Sequence, residues 1–111
     1  MITIEGLKKL GVNTEKALGR CMNKEDFYLK LVPTALNGPH VGELKAALAQ
    51  KDLDKAFDCA HALKGVWGNL ELTPLHERIC EITELLRAKA DADYDSLVKD
   101  LEERLAEFKS L

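Results

Sequence analysis

An all-α fold, an antiparallel four-helix bundle with short helical elements at its N-terminus, is the architecture that this 111-residue sequence predicts. Two observations predict it: apolar residues return every three or four positions in several blocks, and no segment alternates with period two for long enough to suggest a strand. Length supplies the third constraint. With 46% hydrophobic and 32% charged residues, the chain can build one core but not two, so residues 1–111 are expected to form a single domain.

The elements follow in order. "MITIEGLKKLGVN" is a short element ending at Gly11, and "NTEKALGRCMN" supplies about two turns starting from Asn13 or Thr14; both are expected to close one end of the bundle. A longer helix starts after Asn23, with Glu25 and Asp26 in its first turn, and runs through Phe27, Tyr28, Leu31 and Val32. Pro33 removes a hydrogen bond and crowds the preceding turn, so this helix is expected either to kink there or to end near Val32. "NGPHVGELKAALAQKD" gives a turn at Asn37 to Pro39, a stripe of Val41, Leu44, Ala47 and Leu48, and a break near Lys51 and Asp52. Another helix covers about Leu53 to Asn69. Thr73 followed by Pro74 reads as an N-cap with proline at the first helical position, ahead of a stripe of Leu75, Ile79, Ile82 and Leu86. The last helix carries Leu97, Leu101, Leu105 and Phe108, while the pairs Asp95 with Lys99 and Asp100 with Arg104 form a solvated face.

Composition narrows the function classes. Sixteen Lys and Arg against nineteen Asp and Glu leave a net charge of -3, without the large basic excess that nucleic-acid binding usually leaves, so no nucleic-acid partner is expected. Cys21, Cys59 and Cys80 are odd in number and widely spaced, which fits neither a disulfide framework nor a zinc site. They read as reduced packing thiols in a cytoplasmic protein. No signal peptide and no run of apolar residues long enough to span a membrane is evident, and no metal-binding spacing involves His40 or His76, which read as surface or capping residues. Residues 95 to 111 are too short a heptad-like stretch to demand dimerisation, so a monomer is expected.

The stretch "AHALKG", residues 60 to 65, poses the functional question, because a glycine inside a helix costs about 1 kcal/mol relative to alanine. Each helical residue advances by about 100°. With His61 at zero, Leu53, Ala56, Ala60, Leu63, Trp67 and Leu70 fall in a sector centred roughly 120° away, which is the core face. Asp54, Asp58, Gly65 and Gly68 share the stripe of His61, with Phe57 and Lys64 on its core-ward side. The imidazole is therefore expected to face outward or to sit at the boundary, and the two glycines to leave clearance for something bulky. Lys64 at i+3 can set an ammonium beside the ring, a pair suited to an anion and most naturally to a phosphoryl group on a ring nitrogen.

"AHALKGVWGNLEL" resembles the signature of histidine-containing phosphotransfer (HPt) domains, in which a phosphoaccepting histidine precedes leucine, lysine, glycine, a small residue and asparagine-leucine. Upstream, "GVNTEKALGRCMNKEDFYLKLV" is similar to the opening of the same family. The resemblance implies that His61 is the phosphoacceptor, that Lys64 compensates phosphate charge, and that Gly65 and Gly68 open the surface to the partner. It implies response-regulator receiver domains as partners, a hybrid sensor histidine kinase as a further one, and Mg2+ held by the receiver rather than by this chain, for which no cofactor is expected. Asp58, Phe57, Phe27 and Leu31 are candidate partner contacts around the histidine. Three departures stand out: Glu71 where the family often has glycine, Trp67 where it often has a small residue, and Pro33. Neither a GxxxxGK[ST] loop nor a kinase-like glycine-rich loop occurs, so the expectation is a phosphocarrier without ATP-dependent kinase activity. The competing reading is a helical interaction module that is never phosphorylated.

Overall fold

Short polar side chains start four of the helices in the structure, a computed structural model that describes residues 2–111. Thr3 accepts from the Gly6 amide ahead of α1 (Ile4–Lys9), and Asn13 accepts from Lys16 ahead of α2 (Thr14–Arg20). Asp52 and Asp93 do the same for α5 (Leu53–Asn69) and α7 (Tyr94–Lys109), so each satisfies an amide that the first turn leaves without an intrahelical partner. The remaining elements are α3 (Glu25–Leu36), α4 (His40–Ala49) and α6 (Thr73–Arg87), and no strand occurs among the described residues.

Short turns join α4, α5 and α6, so that successive helices run antiparallel with α5 packed between its two neighbours. α7 lies against α6 and α3, and Lys45 of α4 meets Glu102 of α7 at 3.2 Å. The shared core takes Leu44 and Ala47 from α4, Ala56, Ala60, Leu63 and Trp67 from α5, Leu75, Ile79, Ile82 and Leu86 from α6, and Leu101, Leu105 and Phe108 from α7. These are the stripes that the periodicity marks, extended by Val98 and Cys59, while Val41, Leu48, Leu53 and Leu97 are half-buried at its edge. No helix among the described residues is long and apolar enough to cross a membrane.

Three local expectations are corrected, and of the two alternatives at Pro33 the ending is the one excluded. α3 does not end near Val32 but continues through Pro33 to Leu36. Val32 and Leu36 are both buried, the Trp67 indole donates to the Ala35 carbonyl at 3.1 Å, and the Asn37 amide side chain donates to the Pro33 carbonyl at 2.8 Å. Tertiary packing and a side-chain cap thus hold the last turn against proline's local penalty. Thr73 is not the N-cap of α6 but its first residue, with Leu72 at the cap and the Thr73 hydroxyl donating to the Glu71 carbonyl at 3.2 Å. The cause lies in how α5 ends. On α7, Asp100 pairs with Arg104 as expected, but it also receives Arg78 of α6 at 2.7 Å, and no Asp95–Lys99 ion pair forms among the described residues.

Candidate functional site

The face of α5 opposite the core carries His61, exposed as the helical angles predict, with Asp54, Asp58 and Gly65 exposed along the same stripe. Lys64 and Phe57 sit half-buried beside it. A Cβ added to Gly65 would meet nothing within 4 Å, so the surface one turn beyond the imidazole is open to solvent. Gly68 differs. A Cβ there would lie 3.0 Å from Cδ2 and Nε2 of His76, so the room it leaves is taken up within the chain by another imidazole. His76 is half-buried, and its Nε2 lies 3.4 Å from the half-buried thiol of Cys80.

The end of α5 is held by six interactions that sequence spacing does not reveal. Glu71 has φ +58°, a left-handed conformation in which the Glu71 amide reaches the Gly68 carbonyl at 3.1 Å and the Leu72 amide reaches Trp67 at 3.0 Å. This is a Schellman turn, normally closed by glycine because a side chain there costs energy. Glu71 occupies the position where glycine is usual in the resembled signature, and its carboxylate is held at 2.7 Å by Arg20 from α2. The same Arg20 nitrogen donates at 3.0 Å to the Gly68 and Asn69 carbonyls, and the buried Tyr28 hydroxyl donates at 2.8 Å to Leu70. Burial, with Cys21 and Glu71 nearby as lesser causes, pushes the Tyr28 phenol up to about 12, which keeps it a donor.

A second set of contacts surrounds the imidazole on the α6 side. The Phe57 and His61 rings stack with centroids 5.7 Å apart and planes at 14°, and the Arg87 guanidinium lies 5.1 Å from the Phe57 centroid. Arg87 donates to Glu84 at 3.2 Å, and Glu84 also stands 4.0 Å from the Lys64 ammonium. His61 and Lys64 also border an open depression of about 500 Å3 at the end of α5, whose lining includes Gly65, Glu71, His76, and Lys16 and Arg20 from α2, and which Phe57, Glu84 and Arg87 do not line. No cluster of His, Cys, Asp and Glu that could hold a metal ion occurs among the described residues.

The partner contacts expected from the sequence divide. Phe57 and Gly68 lie with His61, and Asp58 is exposed on the same stripe. Phe27 is exposed on α3 among Lys24, Asp26 and Lys30, and Leu31 lines a separate apolar groove with Leu63 and Val66; neither reaches the depression. Lys16, Arg20, His76, Glu84 and Arg87 were missed. Part of that set follows from the hairpin, since residues equally far from Leu72 face one another: Gly68 with His76, and Phe57 with Arg87.

The model of the Hpt domain family matches residues 37–111, about two thirds of the chain, and that span holds α4 to α7 and His61. The chain belongs to the Hpt domain family. The general role that membership carries is histidine phosphotransfer in phosphorelays, as a phosphocarrier and not a kinase. The match begins after α3, so the upstream resemblance and the α2 residues of the depression lie outside it. Neither the curated proteins nor the solved structures compared with the chain gave a match.

Proposed function

We propose that His61 accepts a phosphoryl group from, and returns it to, the aspartate of response-regulator receiver domains, with Lys64 compensating charge on the phosphoryl oxygens and Gly65 admitting the partner. The observation that carries this reading is an exposed imidazole on a helix fixed at both ends, with open space at Gly65, in a chain of the Hpt domain family. In the forward step the lone pair of Nε2 attacks the phosphorus of the partner's acyl phosphate. The new N–P bond forms as the P–O bond to the aspartate breaks, and the bonding electrons leave with the carboxylate. The proton on Nδ1 stays in place, so the step needs no base from this chain. A convex helix surface lets the ring enter a partner's recessed site, where that partner holds Mg2+. The contribution of this chain is then positioning and charge compensation.

A phosphorylated receiver should label the chain at one site, whereas ATP and Mg2+ alone should not. The phosphoramidate on histidine is lost in acid and survives mild base, whereas an acyl phosphate is lost in base, so bond type is read by pH treatment of the intact protein. His61→Gln should abolish the label with an unchanged helical spectrum. Persistence of the label in that variant would refute the site. A folded wild-type protein that takes phosphoryl from no receiver would favour the interaction-module alternative.

A further inference from the structure

Two lysines at the depression carry charge that no carboxylate fully takes up. Glu71 is the only carboxylate in the lining among the described residues, and Arg20 holds it at 2.7 Å while Lys16 stands 3.6 Å from the same oxygen. Arg20 is itself anchored by two carbonyls at the end of α5, so it keeps the carboxylate. The Lys16 side chain is 61% exposed. Lys64 repeats the pattern, because its nearest carboxylate, Glu84 at 4.0 Å, is engaged by Arg87 at 3.2 Å. The outcome is a cationic hollow beside His61 on a chain whose net charge is -3.

The two lysines are placed for different tasks. Lys64 is one turn from His61 on the same helix. Lys16 is tethered at the Gly68 and Glu71 end, on the order of 10 Å from His61 along the helix axis at 1.5 Å per residue. That is too far to serve a phosphoryl group on the ring, yet within the footprint of a protein docked over it. A hollow of about 500 Å3 also exceeds what a phosphoryl group fills, which leaves room for a side chain of the partner. Lys16 belongs to α2, outside residues 37–111, so this cation comes from a part of the chain that family membership does not specify.

From these placements we infer that Lys16 is a specificity-determining docking residue, which receives a carboxylate on the rim of the phosphorylated partner protein while the partner's phosphoryl group meets His61. The inference rests on the phosphocarrier reading above. Partners with an acidic rim are attracted and oriented, and partners with a basic rim are repelled.

The test compares transfer to the full chain from acetyl-phosphate-loaded receiver domains with direct labelling by phosphoramidate, a small reagent that has no rim. Lys16→Glu and Lys16→Gln are measured beside Lys99→Glu, an equal charge change on an exposed α7 residue outside the hollow. For Lys16→Glu, kcat/KM with the best receiver should fall about five- to tenfold at roughly 0.01 M salt, mainly through KM, with Lys16→Gln intermediate and Lys99→Glu near wild type. The deficit should vanish at about 1 M salt, where the screening length is about 3 Å. Receivers that transfer poorly to wild type because of a basic rim should improve. Equal losses in receiver transfer and phosphoramidate labelling would overturn the inference, because Lys16 would then act on the phosphoryl group itself, and so would unchanged transfer or a deficit that ignores salt. If wild type accepts phosphoryl from no receiver, the function reading falls and this inference with it, whereas normal wild-type transfer with an unaffected Lys16→Glu overturns this inference alone.

Discussion

Gly65→Leu should make the protein more stable and a worse phosphoryl carrier. A Cβ at position 65 meets no atom within 4 Å, and the residue has an ordinary helical conformation, so the substitution introduces no clash. Replacing an exposed helical glycine by leucine should therefore add about 0.6–0.8 kcal/mol from helix propensity. For a chain of this size that is a rise of about 4 °C in Tm. The isobutyl group then projects from the open surface one turn beyond the imidazole, where the partner must approach. Displacing the partner by even 1 Å costs about 100-fold in an in-line transfer, so the ratio of receiver transfer to phosphoramidate labelling should fall by about that factor. Gly65→Ala should gain at least as much stability, because alanine is the better helix former, with a smaller loss of transfer. Thermal unfolding by circular dichroism and single-turnover transfer read the two effects separately. A leucine variant that is stabilised yet transfers as fast as wild type would refute the clearance argument, and one that is destabilised would refute the open geometry at residue 65.

Two other outcomes follow. Lys64→Ala should leave the fold intact, because its contact with Glu84 is long and partly exposed, yet should slow receiver transfer about five- to tenfold by removing charge beside the phosphoryl oxygens; equal single-turnover rates would remove Lys64 from the mechanism. The Tyr28 phenol, raised by burial to about 12, contributes stability that is fully present below its unfolded value near 10 and is lost as pH rises through 12, on the order of 2–3 kcal/mol, so urea midpoints should fall more steeply above pH 10 for wild type than for Tyr28→Phe, and parallel curves would contradict it.

What was legible in the sequence was whatever repeats along a helix. The angular reading of α5 placed His61 outward and Ala60, Leu63 and Trp67 inward because both faces are written at intervals of three and four. Local rules failed where a distant group intervened. Pro33 argues against continuing α3, but burial of Leu36 and the Trp67 indole come from contacts that no window around residue 33 contains. The Thr73–Pro74 pair reads as a cap, yet the left-handed Glu71 completes the turn one residue earlier. Glu71 itself looked like a departure from a glycine position, and only the Arg20 contact, 51 residues away, shows what its side chain gains there. Gly68 and Gly65 share one stripe and were read alike. Their neighbours separate them, since His76 fills the space over one and solvent the space over the other.

This distinction bears on how a glycine-bearing helix can present a nucleophile in fixed geometry. Gly65 and Gly68 together weaken α5 by about 2 kcal/mol, and they do so in its last two turns, next to His61, the proposed phosphoacceptor. Fraying there would let His61 wander by more than in-line transfer tolerates. The counterweight lies on the other face and at the end. Leu63 and Trp67 are buried on the same turns as the glycines, the Schellman turn closes the C-terminal carbonyls, and Arg20 and Tyr28 add donors from α2 and α3. The N-terminal helices therefore do more than close one end of the bundle. They stiffen the turn that follows the histidine, and because Arg20 holds Glu71 at 2.7 Å, the longer 3.6 Å contact leaves the Lys16 charge only partly taken up.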